Sequence, residues 1–473
     1  MPPSSVLVPT LLVCSIVCCL YPILLSSPHP TFHRSAISRE LDSFVTQKLN
    51  LTALYPPEEP LPNPPLSDGH DTFSACLLVM DDNHRLIEWL AYHYHVLPLR
   101  YLVVAVDPRS KTTPTSILNR WREQGMYILE WSDRDFWKRK SPLRDIPDDA
   151  ELQVKRDRHR GRQKYFYRQC LIHLKEENRT WVSLHDSDEY MVYNHAGGDK
   201  FREWEDKMKD RHSRSVHSKE VRIEPSKTPP TTAEEGAMIK YIRQEQEAGL
   251  EFYQSPCIGI PRLTFSAVET STSITKGLAP EIASSFDLEQ FDTLRWRKHA
   301  PRNDFVKNAL GKVMIDVSRV DMKNTPMFRS LHRPIQSICP APWHNDWSSG
   351  IRINHYLGSW ESYSFRDDAR RGFERSREQW EFKSTSSAVQ DDDNVTPWLN
   401  GFVESQGLPK ASSLLHNIGL PKHYRNEKDH RWNLLPDKLA KIMETDVTIA
   451  NDNKMVAFDA FVREKYRNSS LRR

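Results

Sequence analysis

The chain has 473 residues, enough for one large domain or two modest ones, and its 66 Lys+Arg nearly balance 63 Asp+Glu for a net charge of +3. That balance argues against a dedicated nucleic-acid binder, which would concentrate basic charge. With 13 Trp, 16 Tyr and 18 Phe there is ample core material, so 32 prolines against 16 glycines imply long surface connections, not disorder throughout.

Ser5 to Leu25 carries no charge and, at about 1.5 Å per residue, is long enough to cross a bilayer core. Residues 1–26 read as a signal anchor, with a cleaved signal peptide as the alternative. Arg34 and Arg39 follow the segment and no Lys or Arg precedes it, so the positive-inside rule does not support a cytoplasmic N-terminus. Four sequons, at Asn50, Asn178, Asn394 and Asn468, all lie after it, as a lumenal body requires. Outside the anchor remain Cys76, Cys170, Cys257 and Cys339, which permit two disulfides of unread pairing. Residues 27–72 crowd Pro56, Pro57, Pro60, Pro62, Pro64 and Pro65 and read as an extended stem.

The folded body is expected over 73–430. Ala75–Met80 is a buried strand, Asn83–Leu97 a helix with Asn83 as N-cap, and Tyr101–Val106 a second strand. Thr115–Gln124 is a helix ended by Gly125, Met126–Trp131 a third strand, and Glu151–Asn178 a long helix. Trp181–Leu184 is a fourth strand. Such βα alternation predicts an α/β fold, a mostly parallel sheet with helices on both faces. Residues 199–250 read as a charged, exposed insertion. Strand signals return at Ile258–Phe265, Lys312–Val320 and Ile351–Tyr356. Asp391–Gln406 forms another unit before Gly407, and 431–473 reads as a helical tail.

The fourth strand ends in Asp186-Ser187-Asp188-Glu189, three carboxylates in four residues. At the carboxyl edge of a parallel sheet such a turn faces the crevice where ligands bind. Two Asp one residue apart can hold a hard divalent cation, Mg²⁺ or Mn²⁺, which can hold a diphosphate. Asp133/Asp135 and Asp391/Asp393 repeat the spacing, so position in the fold must decide.

These residues resemble a known group. Asp82-Asn83, Ile87-Glu88-Trp89-Leu90 and Tyr92-His93, then Val106-Asp107, Arg162-Gln163-Lys164, Cys170 and Trp181…Asp186-Ser187-Asp188-Glu189-Tyr190 resemble glycosyltransferase family 92 and its DUF23-like relatives, with family 2 sequences behind. Arg352-Ile353-Asn354-His355-Tyr356 is similar to that family's His-Tyr segment. A Glu commonly follows the Asn, where this chain has His84. The resemblance implies a GT-A fold, a nucleotide-sugar donor (a UDP-sugar foremost), a divalent metal and inverting transfer to a glycan or glycoconjugate, at a Golgi or other secretory membrane with the body lumenal. It makes Asp186, Asp188 and His355 candidate ligands of Mn²⁺ or Mg²⁺, with His332 and His344 as weaker rivals. Asp82, Asn83, Asp107, Gln163 and Asp186 are candidates to hold the nucleotide sugar.

Inverting transfer needs a base for the acceptor hydroxyl. Asp391, Asp392 and Asp393, ahead of Trp398, form the densest acidic set of the C-terminal half and are the candidates. Trp343, Trp347 and Trp398 are candidates to stack on acceptor sugars. Two alternatives stand beside the transferase. A glycoside hydrolase needs carboxyls about 5–9.5 Å apart across the bond, which one turn does not supply. A non-catalytic carbohydrate-binding membrane protein would explain the aromatics but not the acidic turn.

Overall fold

Strands β1 (Phe73–Val79), β2 (Leu99–Val106) and β3 (Tyr127–Trp131) alternate with helices α1 (Asn83–Val96) and α2 (Thr115–Glu123), and α3 (Leu152–Glu176) leads into β4 (Trp181–Leu184). The computed structural model describes residues 58–137, 143–144, 146–147, 150–194, 231–247, 249, 251–270, 272–300, 308, 311–326, 330–339, 350–365, 375–388 and 390–419. The chain continues through β5 (Glu189–Tyr193), α4 (Ala237–Glu247), β6 (Cys257–Ile260), β7 (Arg262–Phe265), α5 (Pro280–Ser285), β8 (Lys298–His299), β9 (Lys312–Asp316) and β10 (Ile351–Tyr356). It closes with α6 (Trp360–Phe365), α7 (Arg377–Thr385), β11 (Gln390–Asp391), α8 (Trp398–Gln406) and α9 (Leu408–Leu414).

The first sheet runs β3-β2-β1-β4-β9-β6. Its first four strands are mutually parallel, as the βα alternation predicts, while β9 and β6 add antiparallel pairs. The fold is therefore mixed α/β, and only this half meets the expected parallel pattern. The strand interiors are apolar on both sides because helices cover both faces. Val103, Ala105 and Val182 share a buried cluster with Phe166, Cys170, Leu171 and Leu174 of α3. The disulfide Cys76–Cys170 ties β1 to α3, and Cys257–Cys339 anchors β6.

A second sheet, β11-β8-β7-β10-β5, was not expected. The apolar run Ile258–Phe265 breaks at Pro261, which lacks the N–H needed to continue a ladder. Residues before it pair with β9 and residues after it pair with β10. The chain makes a second crossing between β4 and β5, where the acidic turn lies. Because Ile260 is paired with Lys312 and Leu184 with Val313, both crossings sit together at the end of β9.

Boundaries differ from the sequence reading in several places, among them the strand expected over Lys312–Val320, which ends at Asp316 and passes into a 3-10 turn. Asn119 accepts from the Leu61 amide and donates to Glu59, and Asn63 accepts from the Ile128 amide, so the end of the Pro-rich stretch belongs to the folded body. Asp82, not Asn83, caps α1: its carbonyl accepts from Arg85 and Leu86. In the insertion, α4 buries Ala237, Met238, Ile239 and Ile242, an apolar stripe that its charged neighbours hide. The predicted anchor, most of the stem and insertion, and the 431–473 tail lie outside the described residues. Among those described, no helix is long and apolar enough to cross a membrane.

Candidate active site

The acidic turn occupies the carboxyl end of β4, as expected from an apolar run that stops in carboxylates. The Asp186 carbonyl accepts from the Glu189 amide at 3.1 Å, and the Asp186 amide donates to Glu189 Oε2 at 2.9 Å, which closes the turn. The register then sets Glu189 of β5 directly across from His355 of β10. Asp188, held through its carbonyl by the Tyr356 amide, brings Oδ2 to 3.8 Å from His355 Nε2. Ligand atoms of Asp188, Glu189 and His355 all lie within 4.8 Å of one another.

Two atoms of this group, Glu189 Oε1 and His355 Nδ1, are buried without a hydrogen-bond partner among the described residues. Unsatisfied buried acceptors cost free energy unless something else meets them. Burial holds the His355 imidazole below its usual range despite the Asp188 charge, which keeps a lone pair available. Two carboxylates and a neutral imidazole form a donor set that suits Mn²⁺, and less ideally Mg²⁺. The residues present therefore fit a divalent cation.

Three cations surround the carboxylates. Lys312 Nζ lies 2.8 Å from Asp186 Oδ2 and 2.9 Å from Glu189 Oε2, with its side chain only 2% exposed. Burial opposes its charge, yet Asp186 and Glu189 hold its pKa above the ordinary lysine value. Arg262 approaches Glu189 Oε1 at 3.5 Å, and Arg85 donates to Asp188 Oδ2 at 3.3 Å. Asp186 thus turns to Lys312, while Glu189 joins Asp188 and His355.

Helix α1 presents Arg85 and Glu88 one turn apart, the spacing that puts both on one face. Arg85 Nε also lies 3.1 Å from Asp292 Oδ2, and its Nη2 donates to the Leu357 carbonyl at 2.9 Å. Gly358 follows with φ +75°, and a Cβ there would overlap Arg85. Glu88 accepts from the Asp292 amide at 2.8 Å, the Thr293 amide at 3.1 Å and Thr293 Oγ1 at 2.5 Å. Beneath the turn, buried His185 bonds Ser183 and, at 2.9 Å, His93, whose Nδ1 donates to the Trp89 carbonyl.

The other sequence candidates scatter. Asp82 Oδ2 accepts from the Met80 amide and Asn83 donates to the Thr113 carbonyl, so both brace the end of β1. Asp107 is engaged by Arg109 at 2.9 Å and Arg162 at 3.7 Å; these guanidinia outweigh burial and hold its pKa low. Gln163 lies next to Arg162 on α3. Asp133 accepts from Arg162 at 2.7 Å, and Asp135 accepts from the amide of the N-cap Ser132. His332 bonds the Gly311 carbonyl. Trp398 is in the core, its indole donating to Thr293, and is not free to stack on a sugar. Trp343, Trp347 and His344 lie outside the described residues.

Asp391, Asp392 and Asp393 do not gather at this site. Asp391 pairs with Lys298 at 3.0 Å, Asp392 with Arg352 at 2.6 Å, and Asp393 with Lys276 at 3.1 Å. Arg352, Asn354 and Tyr356 are linked along one face of β10, and His355 points from the other. Asp392 therefore sits behind the sheet from the Asp188–His355 group. Burial would raise its pKa, but Arg352 and His299 hold it low.

No protein-family model matches the chain, and no curated protein matches it. Among solved structures, the crystal structure of S. aureus TarS 1–349 is similar at 10% identity and a TM-score of 0.22, covering 75% of this chain and 82% of that one. A superposition so loose bears on neither fold family nor activity. Sequence reasoning missed Arg85, Glu88, Asp292, Arg262 and Lys312. The one available signal was a Lys opening the apolar run Lys312-Val-Met-Ile-Asp, a position a buried strand fills with a cation only when carboxylates await it.

Proposed function

We propose that the chain is a glycosyltransferase of GT-A type that moves a sugar from a nucleotide-sugar donor, foremost a UDP-sugar, to a hydroxyl of a glycan or glycoconjugate with inversion. The observation that carries this is the convergence of Asp188, Glu189 and His355 at a sheet's carboxyl edge, with Glu189 Oε1 and His355 Nδ1 buried and without hydrogen bonds among the described residues. The sequence resemblance over about residues 74–190 supports it independently.

In this reading Asp188, Glu189 and His355 hold Mn²⁺ or Mg²⁺, in place of the Asp186–Asp188–His355 set expected from sequence. When bound, the ion supplies Lewis-acid neutralisation of the leaving diphosphate. The chain's own part is preorganisation. Lys312 fixes Asp186 against Glu189, Arg262 approaches Glu189 Oε1 and Arg85 holds Asp188 Oδ2, so the turn need not reorganise during reaction. Asp81, buried at the end of β1 with φ 55°, accepts from Lys111 and Thr112 and shapes the loop beside the donor's place. We place the body in the lumen of a Golgi or related secretory membrane, behind the Ser5–Leu25 anchor. Support comes from the two disulfides and from Asn178, a sequon exposed at the end of α3.

The test is release of UDP from a panel of UDP-sugars, with and without Mn²⁺. Metal-stimulated release from one donor is expected. No release from any donor, together with no UDP binding, would contradict the assignment.

A further inference from the structure

We infer that Asp292 is the general base of the proposed transfer, an assignment that rests on the reading above. In an in-line inversion the acceptor oxygen bonds the anomeric carbon as the bond to the donor phosphate breaks. The nucleoside diphosphate departs with the electron pair, and the hydroxyl proton must pass to a base on the acceptor side. The turn Asp186–Glu189 lies on the diphosphate side, so the base has to come from another segment.

Among the described residues few carboxylates qualify. Asp391, Asp392 and Asp393 are tied to cations, and Asp392 lies behind the sheet. Glu88 is only 2% exposed, its oxygens being taken by the Asp292 and Thr293 amides and the Thr293 hydroxyl. Asp107 is engaged by Arg109 and Arg162. Asp292 is likewise paired with a cation, but that cation, Arg85, also holds Asp188 of the acidic turn. Asp292 comes from a separate segment between β7 and β8, and its side chain is 16% exposed. A single guanidinium joins it to the site: Arg85 reaches Asp292 Oδ2 at 3.1 Å and Asp188 Oδ2 at 3.3 Å. The two carboxylates therefore flank one rigid planar group of fixed span.

Its orientation is fixed from three sides. Trp296 Nε1 donates to Asp292 Oδ1 at 2.9 Å, Arg85 holds Oδ2, and Glu88 holds the backbone amide at 2.8 Å. Each carboxylate oxygen offers more than one acceptor site, so these bonds leave room for a substrate hydroxyl. Arg85 and Glu88 are positioning residues: one α1 face sets both the acidic turn and the base.

The experiment measures Mn²⁺-supported hydrolysis of the active UDP-sugar, water serving as acceptor, alongside UDP affinity and thermal melting. Asp292→Asn should lower kcat by about 10²- to 10⁴-fold with UDP affinity within roughly twofold of wild type. Azide, which needs no deprotonation, should restore turnover to this variant as the glycosyl azide. Should Asp292→Asn fold poorly, Asp292→Glu keeps the charge for Arg85 but displaces the oxygens by one methylene, and kcat should still fall at least about tenfold. Near-normal kcat in the folded variant, or a loss of UDP binding as large as the loss of kcat, overturns the base assignment alone. A wild-type chain that releases UDP from no donor overturns the reading, and the base with it.

Discussion

Asp186–Glu189 and Asp391–Asp393 are both short acidic runs at the end of a strand, yet the fold treats them in opposite ways. In the C-terminal run each carboxylate has its own cation: Lys298, Arg352 and Lys276 in turn. In the turn after β4 one ammonium, Lys312, is shared by two carboxylates, and the cross-strand His355 brings a neutral acceptor into the same space. Glu189 Oε1 and His355 Nδ1 are left without hydrogen bonds among the described residues. Density of charge is thus common to both regions. Convergence of two carboxylates and an imidazole belongs to one, and that is what a cation needs.

The comparison can be broken by substitution. Asp188→Ala should lower nucleotide-sugar turnover by at least about 100-fold, the upper end of the cost of losing even an outer partner of a metal ligand. Asp392→Asn should leave kcat near normal but destabilise the fold by about 3–5 kcal/mol, because it strands the buried Arg352 guanidinium without its counter-charge. Denaturant unfolding of the two variants separates these effects. Asp393→Asn, whose pair with Lys276 is about half exposed on both sides, should change stability by less than about 1 kcal/mol.

Acid sharpens the same contrast. The Asp392 carboxyl is held below its ordinary value, so the stability it contributes is complete above the unfolded-state pKa of about 3.9 and is lost as pH falls through the folded value. The melting temperatures of wild type and Asp392→Asn should therefore converge as pH drops from 5 towards 3. A constant difference across that range would mean that Asp392 does not act as a charged partner.

Much of the parallel half was legible because local patterns decide it. Apolar runs of strand length alternate with helical periodicity from Phe73 to Leu184, and the last run stops at carboxylates. His355 was also legible, at the end of the apolar Ile351–Tyr356 block. What escaped depends on contacts between distant segments. Lys312 reaches the turn only because β9 runs antiparallel to β4, and Arg262 only because Pro261 diverts the chain into a second sheet. Asp292 lies in a stretch with no periodicity, marked by nothing but Glu88 and Arg85 far upstream. Asp391–Asp393 drew attention for its charge, since a sequence does not show which cations stand opposite.

The central claim, that a divalent cation is held by Asp188, Glu189 and His355, is tested most directly by titrating Mn²⁺ into the chain with UDP present. The paramagnetic signal of the free ion reports how much is bound. The account predicts one tight site in wild type and in Asp392→Asn, lost in Asp188→Ala and His355→Ala with melting temperatures preserved. Wild-type protein that binds no Mn²⁺, or a His355→Ala/Asp188→Ala double variant that binds it as wild type does, would contradict the claim.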